Sequence, residues 1–134
     1  MNSPAHDLAL YLETQSVGTF GGSSGWSINV SREPELPDTA ITLYDTGGPG
    51  PTDDDQDQWE STVQVRVRSR DYAAAFAKHE AIRDLFVLPA PIIGETTRFS
   101  GITMTSDILA LGRDDNDRHL LTANYQVLRS AIGV

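Results

Sequence analysis

The segment 59–70 restricts the possible folds of this chain more than any other. Val63, Val65 and Val67 alternate with polar and charged residues, so an extended strand would place the valines on one face. A strand with one apolar and one polar face is typical of an antiparallel sheet that is covered on one side. We therefore expect further strands beside this segment and an apolar layer over the valines.

Two segments have the periodicity of amphipathic helices. The first should begin near Ser3-Pro4, because serine is a common N-cap and proline is tolerated in the first turn, and it continues at helical spacing to Leu12. The second should begin after Asp71 and end near Phe86. Its predicted buried stripe consists of Tyr72, Ala75, Phe76, His79, Ile82 and Phe86.

The remaining chain contains five further candidate strands. They are the segments 26–30, 40–44, 92–96, 99–109 and 119–130. With the strand 59–70 and the two helices, the order is α-β-β-β-α-β-β-β, and a charged turn at 112–117 precedes the last strand. This order predicts the α+β class, with an antiparallel-rich mixed sheet and both helices on one face.

Length and composition indicate one domain and exclude several kinds of site. The 134 residues fit a single domain over 1–134, in which the acidic segment 46–58, rich in glycine and proline, is predicted to be a flexible loop. The chain has no cysteine, which excludes disulfides and thiolate-bound metals. Its net charge of −9 argues against direct nucleic-acid binding. No apolar run approaches the ~18 residues of a membrane helix, so no membrane partner is expected.

The sequence carries no recognisable catalytic motif. His6, His79 and His119 fall on three different predicted elements, and His79 lies on an apolar stripe, where a core histidine is the simplest interpretation. The glycine- and serine-rich segment 21–25 lacks the strand-turn-helix context of a nucleophile elbow. Four aspartates within 53–57 offer the oxygen ligands that Ca²⁺ or Mg²⁺ prefers, but the segment lacks the central glycine and closing glutamate of an EF-hand. We predict no enzyme activity, no cofactor and no metal site.

Charged and aromatic residues near the acidic loop are candidates for contacts between subunits or with partners. Arg66, Arg68 and Arg70 should project from the polar face of the strand 59–70, either as a solvated surface or as a row that meets acidic loops of the next copy. Trp59 begins this strand and would either pack on the sheet or contact a partner. The candidates for docking on basic surfaces are Asp53, Asp54, Asp55 and Asp57.

The succession of motifs between residues 36 and 88 resembles the tail terminator, or minor capsid, proteins of long-tailed bacteriophages. The segment 36–48 has a proline and an acidic residue before a strand that ends in Tyr-Asp-Thr-Gly-Gly. A polar loop follows, then Val-Gln-Val-Arg-Val-Arg-Ser-Arg at 63–70 and a helix with Ala-Ile-Arg-Asp-Leu at 81–85. In element order, the resemblance extends over about residues 1–130.

The resemblance implies a structural role in the virion, without catalytic residues. Such proteins cap the tail tube at its final length, usually as a homohexameric ring, and present a surface for head attachment. The expected partners are copies of the chain, the tail tube protein and the neck or head connector protein. The expected location is the tail–neck junction of the virion, with the host cytoplasm before assembly. The alternatives are another head–tail joining or neck completion protein, and a small cytosolic ligand-binding domain or enzyme.

Overall fold

The computed structural model describes residues 1–52, 58–87 and 91–132, and these ranges form two helices and one nine-stranded sheet. The helices are α1 (Pro4–Thr14) and α2 (Tyr72–Phe86). The strands are β1 (Thr19–Phe20), β2 (Ser27–Val30), β3 (Ala40–Asp45), β4 (Gly50–Pro51), β5 (Gln58–Ser69), β6 (Ile92–Ile93), β7 (Thr97–Met104), β8 (Leu109–Arg113) and β9 (His119–Ala131). The sheet is curled, mixed and mostly antiparallel, which confirms the predicted α+β class. Neither helix is long and apolar enough to span a membrane.

The centre of the sheet is the antiparallel pair β5–β9. All twelve residues of β5 pair with β9, from Gln58 opposite Ser130 to Ser69 opposite His119. The core face of this pair carries seven fully buried apolar side chains, which are Val63, Val65, Val67, Leu121, Ala123, Tyr125 and Val127. The other edge of β5 pairs with β3 and with β4 at different points along its length, and the other edge of β9 pairs with β7 and with β8. Beyond β3 the sheet continues with β2 and β1, and beyond β7 with β6.

Both helices pack on the valine face, as the sequence predicts. Leu8 and Leu12 of α1 and Ile82 and Phe86 of α2 belong to one buried cluster with the core face of β5 and β9. The ring of Phe86 meets that of Tyr125 edge to face, with centroids 5.3 Å apart. Full burial of each such side chain contributes about 1.5–3 kcal/mol, so these contacts hold the helices on the sheet.

Both predicted N-caps are confirmed, but two residues of the predicted stripe are not fully buried, since Phe76 is only partly buried and Tyr72 is exposed. The side chain of Ser3 accepts a hydrogen bond from the backbone N–H of His6 at 3.2 Å, and that of Asp71 accepts one from Ala73 at 3.0 Å. Tyr72 remains 45% exposed, although the helical periodicity predicts its burial. It lies in the first turn of α2, and its ring meets that of His119 edge to face.

The structure adds two short strands, β1 and β4, to the predicted order, and it divides one predicted strand into two. β4 lies within the segment 46–58, for which a flexible loop is predicted. Thr46, Gly47 and Thr52 form backbone hydrogen bonds with β5, and residues 53–57 lie outside the described ranges. The predicted strand 99–109 becomes β7 and β8, which both pair with β9. The charged turn is shorter than predicted, because Gly112 and Arg113 still pair with β9.

Two strands run parallel to their neighbours, which the sequence pattern does not reveal. β1 pairs with β2, and β2 pairs with β3, in parallel. Parallel neighbours cannot be joined by a tight hairpin, so the chain must cross over between them. Residues 31–39 form the crossover between β2 and β3, which we call the crossover segment.

The Tyr-Asp-Thr-Gly-Gly motif joins α1 to the sheet. The Oδ1 atom of Asp45 accepts a hydrogen bond of 2.9 Å from the backbone N–H of Ala5, one of the free N–H groups in the first turn of α1. Thr46 and Thr62 share both a backbone and a hydroxyl hydrogen bond. Gly48 has φ +112°, and a Cβ atom there would lie 2.9 Å from the Cα atom of Ser61, so this close approach requires glycine.

Asp7 connects the other side of α1 to the turn before β7. This buried carboxylate accepts hydrogen bonds from the Asn2 amide at 2.8 Å and from the backbone N–H of Thr96 at 2.9 Å. Burial acts to raise the pKa of Asp7, but the hydrogen bonds from Asn2, Thr96 and Thr97 outweigh it and lower the pKa overall. The start of α1 is therefore fixed between two separate parts of the sheet.

His79 is a core histidine, as predicted. It is fully buried on α2, and its Nε2 atom lies 2.8 Å from the carbonyl oxygen of Leu121, so Nε2–H is the donor. Its Nδ1 atom has no hydrogen-bond partner among the described residues. Burial lowers the pKa of His79, and the hydrogen bond to Leu121 offsets only part of this effect. The folded protein therefore favours the neutral imidazole.

The buried imidazole predicts a stability that falls with acidity. The unfolded chain binds a proton at His79 near the ordinary pKa of 6.5, whereas the folded chain resists protonation. Below pH 6.5, the free energy of unfolding should fall by up to about 1.4 kcal/mol per pH unit, until the folded-state pKa is reached. Urea unfolding between pH 7.5 and 5.5 measures this slope.

Two variants isolate the effect. His79→Gln should flatten the pH dependence, because it removes the titrating group. His119→Gln is the matched control, since it removes another histidine and leaves the hydrogen bond between His79 and Leu121 in place. If His79→Gln keeps the full slope, the buried imidazole is not its cause.

The hydrogen bond from Ala5 to Asp45 predicts a measurable loss of stability when the carboxylate is removed. Asp45→Ala should lower the free energy of unfolding by about 0.5–2 kcal/mol, the range for loss of a side-chain acceptor at a helix N-terminus. Asp45→Asn keeps an acceptor oxygen and should retain most of the stability. Urea unfolding at pH 7.5 compares the three proteins; equal stability of Asp45→Ala and wild type would contradict this role.

Candidate functional site

The crossover segment covers part of the polar face of the sheet. Arg68 donates hydrogen bonds to the backbone oxygen atoms of Pro37 at 2.7 Å and Asp38 at 3.3 Å. Arg118, the residue just before β9, donates to the backbone oxygen of Glu35. Both arginines are buried. Thus the guanidinium groups satisfy carbonyl oxygen atoms of a segment that is not itself a strand.

Ion pairs connect the same segment to β5 and to the turn before β9. Arg66 pairs with Glu33 at 3.0 Å. Asp38 pairs with Arg70 at 2.8 Å and with Arg118 at 3.5 Å. The hydrogen bond from Arg70 lowers the pKa of Asp38, so the carboxylate stays charged. These charges compensate one another within one chain.

The acidic turn 114–117 belongs to this network. Asp114 accepts hydrogen bonds from the Nε atom of Arg118 at 2.8 Å and from its backbone N–H at 2.9 Å. The backbone oxygen of Asn116 accepts a hydrogen bond from Arg70, and the carboxylate of Asp117 pairs with Arg113 at 2.9 Å. The turn is therefore held by arginines of its own chain.

The three arginines predicted as contact residues differ in their surroundings. Arg68 is only 3% exposed, so it is not part of an exposed row. Burial, followed by repulsion from Arg118, lowers the pKa of Arg68, as expected for a cation held inside the protein. Arg66 is partly exposed and its guanidinium lies 5.5 Å from the ring centroid of Tyr44, whereas Arg70 is well exposed. Only Arg66 and Arg70 remain available to a partner.

Trp59 packs beside a cleft near the N-terminus. Its ring centroid lies 5.8 Å from the guanidinium of Arg129, its pairing partner on β9. Arg129 also donates to the hydroxyl of Ser61 at 3.1 Å. The cleft has a volume of about 430 Å³ and is lined by Met1, Asn2, Ser3, Pro4, Asp45, Gly47, Ser61, Thr62 and Arg129.

The groups in this N-terminal cleft are engaged in structural hydrogen bonds. Asp45 binds the start of α1, and Ser61 accepts from Arg129. No histidine or second carboxylate lines the described part of the cleft, so Ser61 has no general base beside it. Within residues 1–52, 58–87 and 91–132, no group of three or more histidine, aspartate or glutamate side chains could hold a metal ion. The predicted candidates Asp53, Asp54, Asp55 and Asp57 lie outside these ranges.

Sequence reasoning missed an exposed apolar patch on one edge of the sheet. All five residues of β8 are exposed, including Leu109 at 57% and Leu111 at 47%. In the described part of the chain β8 pairs only with β9, so its other side is free. The sequence contained the signal in the alternation Leu-Ala-Leu at 109–111, which continues beyond the predicted end of the strand.

A second feature lies at the opposite edge, beside β2. Here a cleft of about 430 Å³ is lined by Phe20, Gly21, Ile28, Asn29, Val30, Arg32, Pro34 and Glu35. β1 pairs with only the first two residues of β2, which leaves the edge open at Asn29 and Val30. The exposed features of the described residues are therefore surfaces and edges rather than a pocket equipped for catalysis.

Comparisons with known proteins agree with this geometry. One solved structure with a similar fold belongs to the virion of a native gene transfer agent particle, with 18% sequence identity and a TM-score of 0.53. The match covers 78% of each chain. No curated protein matches the sequence. The sequence profile described as bacteriophage tail terminator protein matches residues 11–130. Because this match spans most of its length, the chain belongs to the family of bacteriophage tail terminator proteins.

Proposed function

We propose that this chain caps the phage tail tube as a ring, ends tail elongation and offers the surface to which the head connector attaches. The family match over residues 11–130 carries this proposal. The partners are further copies of the chain, six in the usual ring of such proteins, the tail tube protein and the connector protein. The chain acts at the tail–neck junction after synthesis in the host cytoplasm.

The surface charge fits a protein that assembles only on a template. The net charge of −9 makes free copies repel one another and favours a soluble pool before assembly. On the tube, several copies bind side by side, and each contact adds to the others through a high effective concentration. A ring can therefore be stable on the tube even if single contacts between free copies are weak.

Exposed charged and aromatic side chains are the proposed contact points. Arg70 is well exposed, and its partner Asp38 lies on the crossover segment, so a carboxylate of a neighbouring copy could compete for the guanidinium. Arg66 and Trp59 are partly exposed and offer smaller contacts. The acidic residues Asp53, Asp54, Asp55 and Asp57 are proposed docking points for basic surfaces of the tube or connector. Arg68 is left out because it is buried.

Deletion of the chain tests the proposed function directly. A phage that lacks it should produce tails of irregular, excessive length that fail to join heads, because nothing stops addition of tube subunits. Electron microscopy of lysates measures tail length and the fraction of tails that carry heads. Tails of normal length that merely lack heads would contradict the capping role and indicate a neck completion protein. Expression of the wild-type chain in trans should restore both measures.

Charge reversal at Arg70 tests the proposed contact. Arg70→Glu should reduce the fraction of correctly capped tails in the complementation assay, while the free energy of unfolding should change little, because exposed ion pairs contribute little to stability. Arg83→Glu is the matched control: it makes the same charge change at a partly exposed arginine of α2 that also pairs with acidic neighbours. Equal complementation by the two variants would exclude Arg70 as a contact.

A further inference from the structure

Arg70 is exposed, yet two separate segments of its own chain hold its side chain. It lies between β5 and α2, and its side chain is 57% exposed. Its Nε atom donates to Oδ2 of Asp38 on the crossover segment at 2.8 Å, and its Nη1 atom donates to the backbone oxygen of Asn116 at 2.9 Å. Nη2 forms no hydrogen bond within the described residues, so it can donate to a carboxylate of a neighbouring copy.

Arg118 contacts both of the segments that hold Arg70. Its Nη1 atom lies 3.5 Å from Oδ1 of Asp38 on the crossover segment, and its Nε atom donates to Oδ2 of Asp114 in the turn 114–117 at 2.8 Å. Among the arginines of the described ranges, only Arg70 and Arg118 bind both the crossover segment and this turn. Arg118 is buried, so its own guanidinium does not reach a partner.

The carboxylate of Asp38 connects the two arginines directly. Its Oδ2 atom accepts from Arg70, and its Oδ1 atom faces Arg118. Arg118 therefore fixes the orientation of the carboxylate that binds Nε of Arg70. Arg68 also binds this residue, but only at its backbone oxygen, so it anchors the crossover segment without orienting the carboxylate.

The carboxylate of Asp114 connects Arg118 to the second contact of Arg70. Its Oδ1 atom accepts from the backbone N–H groups of Asn116 at 3.0 Å and Arg118 at 2.9 Å, and its Oδ2 atom accepts from Nε of Arg118. The backbone N–H of Asp114 donates to the backbone oxygen of Arg118 at 2.9 Å, which closes the turn. The carbonyl group of Asn116 belongs to this turn, so its position beside Arg70 depends on the pair of Asp114 and Arg118.

We infer that Arg118 is a positioning residue for Arg70: through Asp38 and the turn 114–117, it holds the exposed guanidinium in one orientation before a neighbouring copy binds. The inference rests on the proposed function, in which Arg70 contacts that copy. A free arginine side chain loses many rotamers on binding, whereas a side chain that is already held loses fewer. Removal of the Arg118 guanidinium should therefore weaken the contact, although Arg118 does not touch the partner.

Hydrogen exchange of the Arg70 Nε–H group, followed by nuclear magnetic resonance on the free protein, tests the positioning. Arg118→Lys keeps the charge but lacks the planar fork that binds Asp38 and Asp114 together. In this variant the Nε–H group of Arg70 should lose its protection from exchange. Arg113→Lys is the matched control, because it makes the same change at an arginine that pairs with Asp117 of the same turn, and it should retain the protection.

Complementation of the phage that lacks the chain tests the consequence for assembly. Arg118→Lys should lower the fraction of correctly capped tails, and Arg113→Lys should not. Arg70→Ala should lower this fraction as well. In the double variant, Arg118→Lys should cause no loss beyond that of Arg70→Ala, because Arg118 acts through Arg70. A residue needed only for folding would instead add its own loss.

A second variant, Asp114→Ala, covers the case in which the buried position 118 does not tolerate lysine. It removes the carboxylate from a turn at the surface and leaves the contacts of Arg118 with the crossover segment in place. The same two results are expected, which are loss of protection at Arg70 and no loss of capping beyond that of Arg70→Ala. Urea unfolding verifies that each variant is folded.

Three results would overturn the inference: unchanged exchange at Arg70 in the folded variants, normal capping by a variant that has lost the protection, or losses that add in the double variant. A failure of the proposed function gives a different result. If Arg70→Glu and Arg83→Glu complement equally, or if deletion of the chain leaves tail length unchanged, the proposed contact or the capping role fails. Exchange in the free protein still decides whether Arg118 orients Arg70.

Discussion

The antiparallel pairing of β5 with β9 is the interaction on which the rest of the structure depends. It brings together two segments about sixty residues apart and creates the apolar face formed by Val63, Val65 and Val67 with their partners. Both helices bury their apolar sides on this face, and both pairs of flanking strands take their register from it. Without this pair, neither helix would have a surface to cover, since amphipathic helices gain most of their stability from tertiary packing.

The opposite face of the same pair determines which charges reach the surface. Arginines of β5 and Arg118, just before β9, hold the crossover segment against the sheet, and the carboxylates of that segment and of the turn 114–117 neutralise them. A buried guanidinium such as that of Arg68 is acceptable only because carbonyl oxygen atoms satisfy it. Many of the charged side chains that the sequence offers for contacts with partners therefore form ion pairs within the chain. Among Arg66, Arg68 and Arg70, Arg70 is the most exposed.

The edges of the sheet differ from its faces because they have not been covered. Within the described residues, β8 keeps one free side and two exposed leucines, and a cleft lies beside β2 near the opposite edge of the sheet. A protein that acted alone would gain solubility from charges at such an edge. Exposed apolar groups grouped at an edge are typical of surfaces that bind other proteins.

The sequence by itself determined the main local elements. Alternation of apolar and polar residues predicted β5 and β9, and helical spacing with capping residues predicted α1 and α2. The succession of motifs indicated the family. Each of these depends on neighbours in the chain, which is why periodicity detects them. The tertiary structure alone decided that β1, β2 and β3 pair in parallel and that Arg68 is buried. Both features depend on which distant segments meet. An arginine on the polar face of a strand gives the same sequence pattern whether water or the crossover segment lies above it.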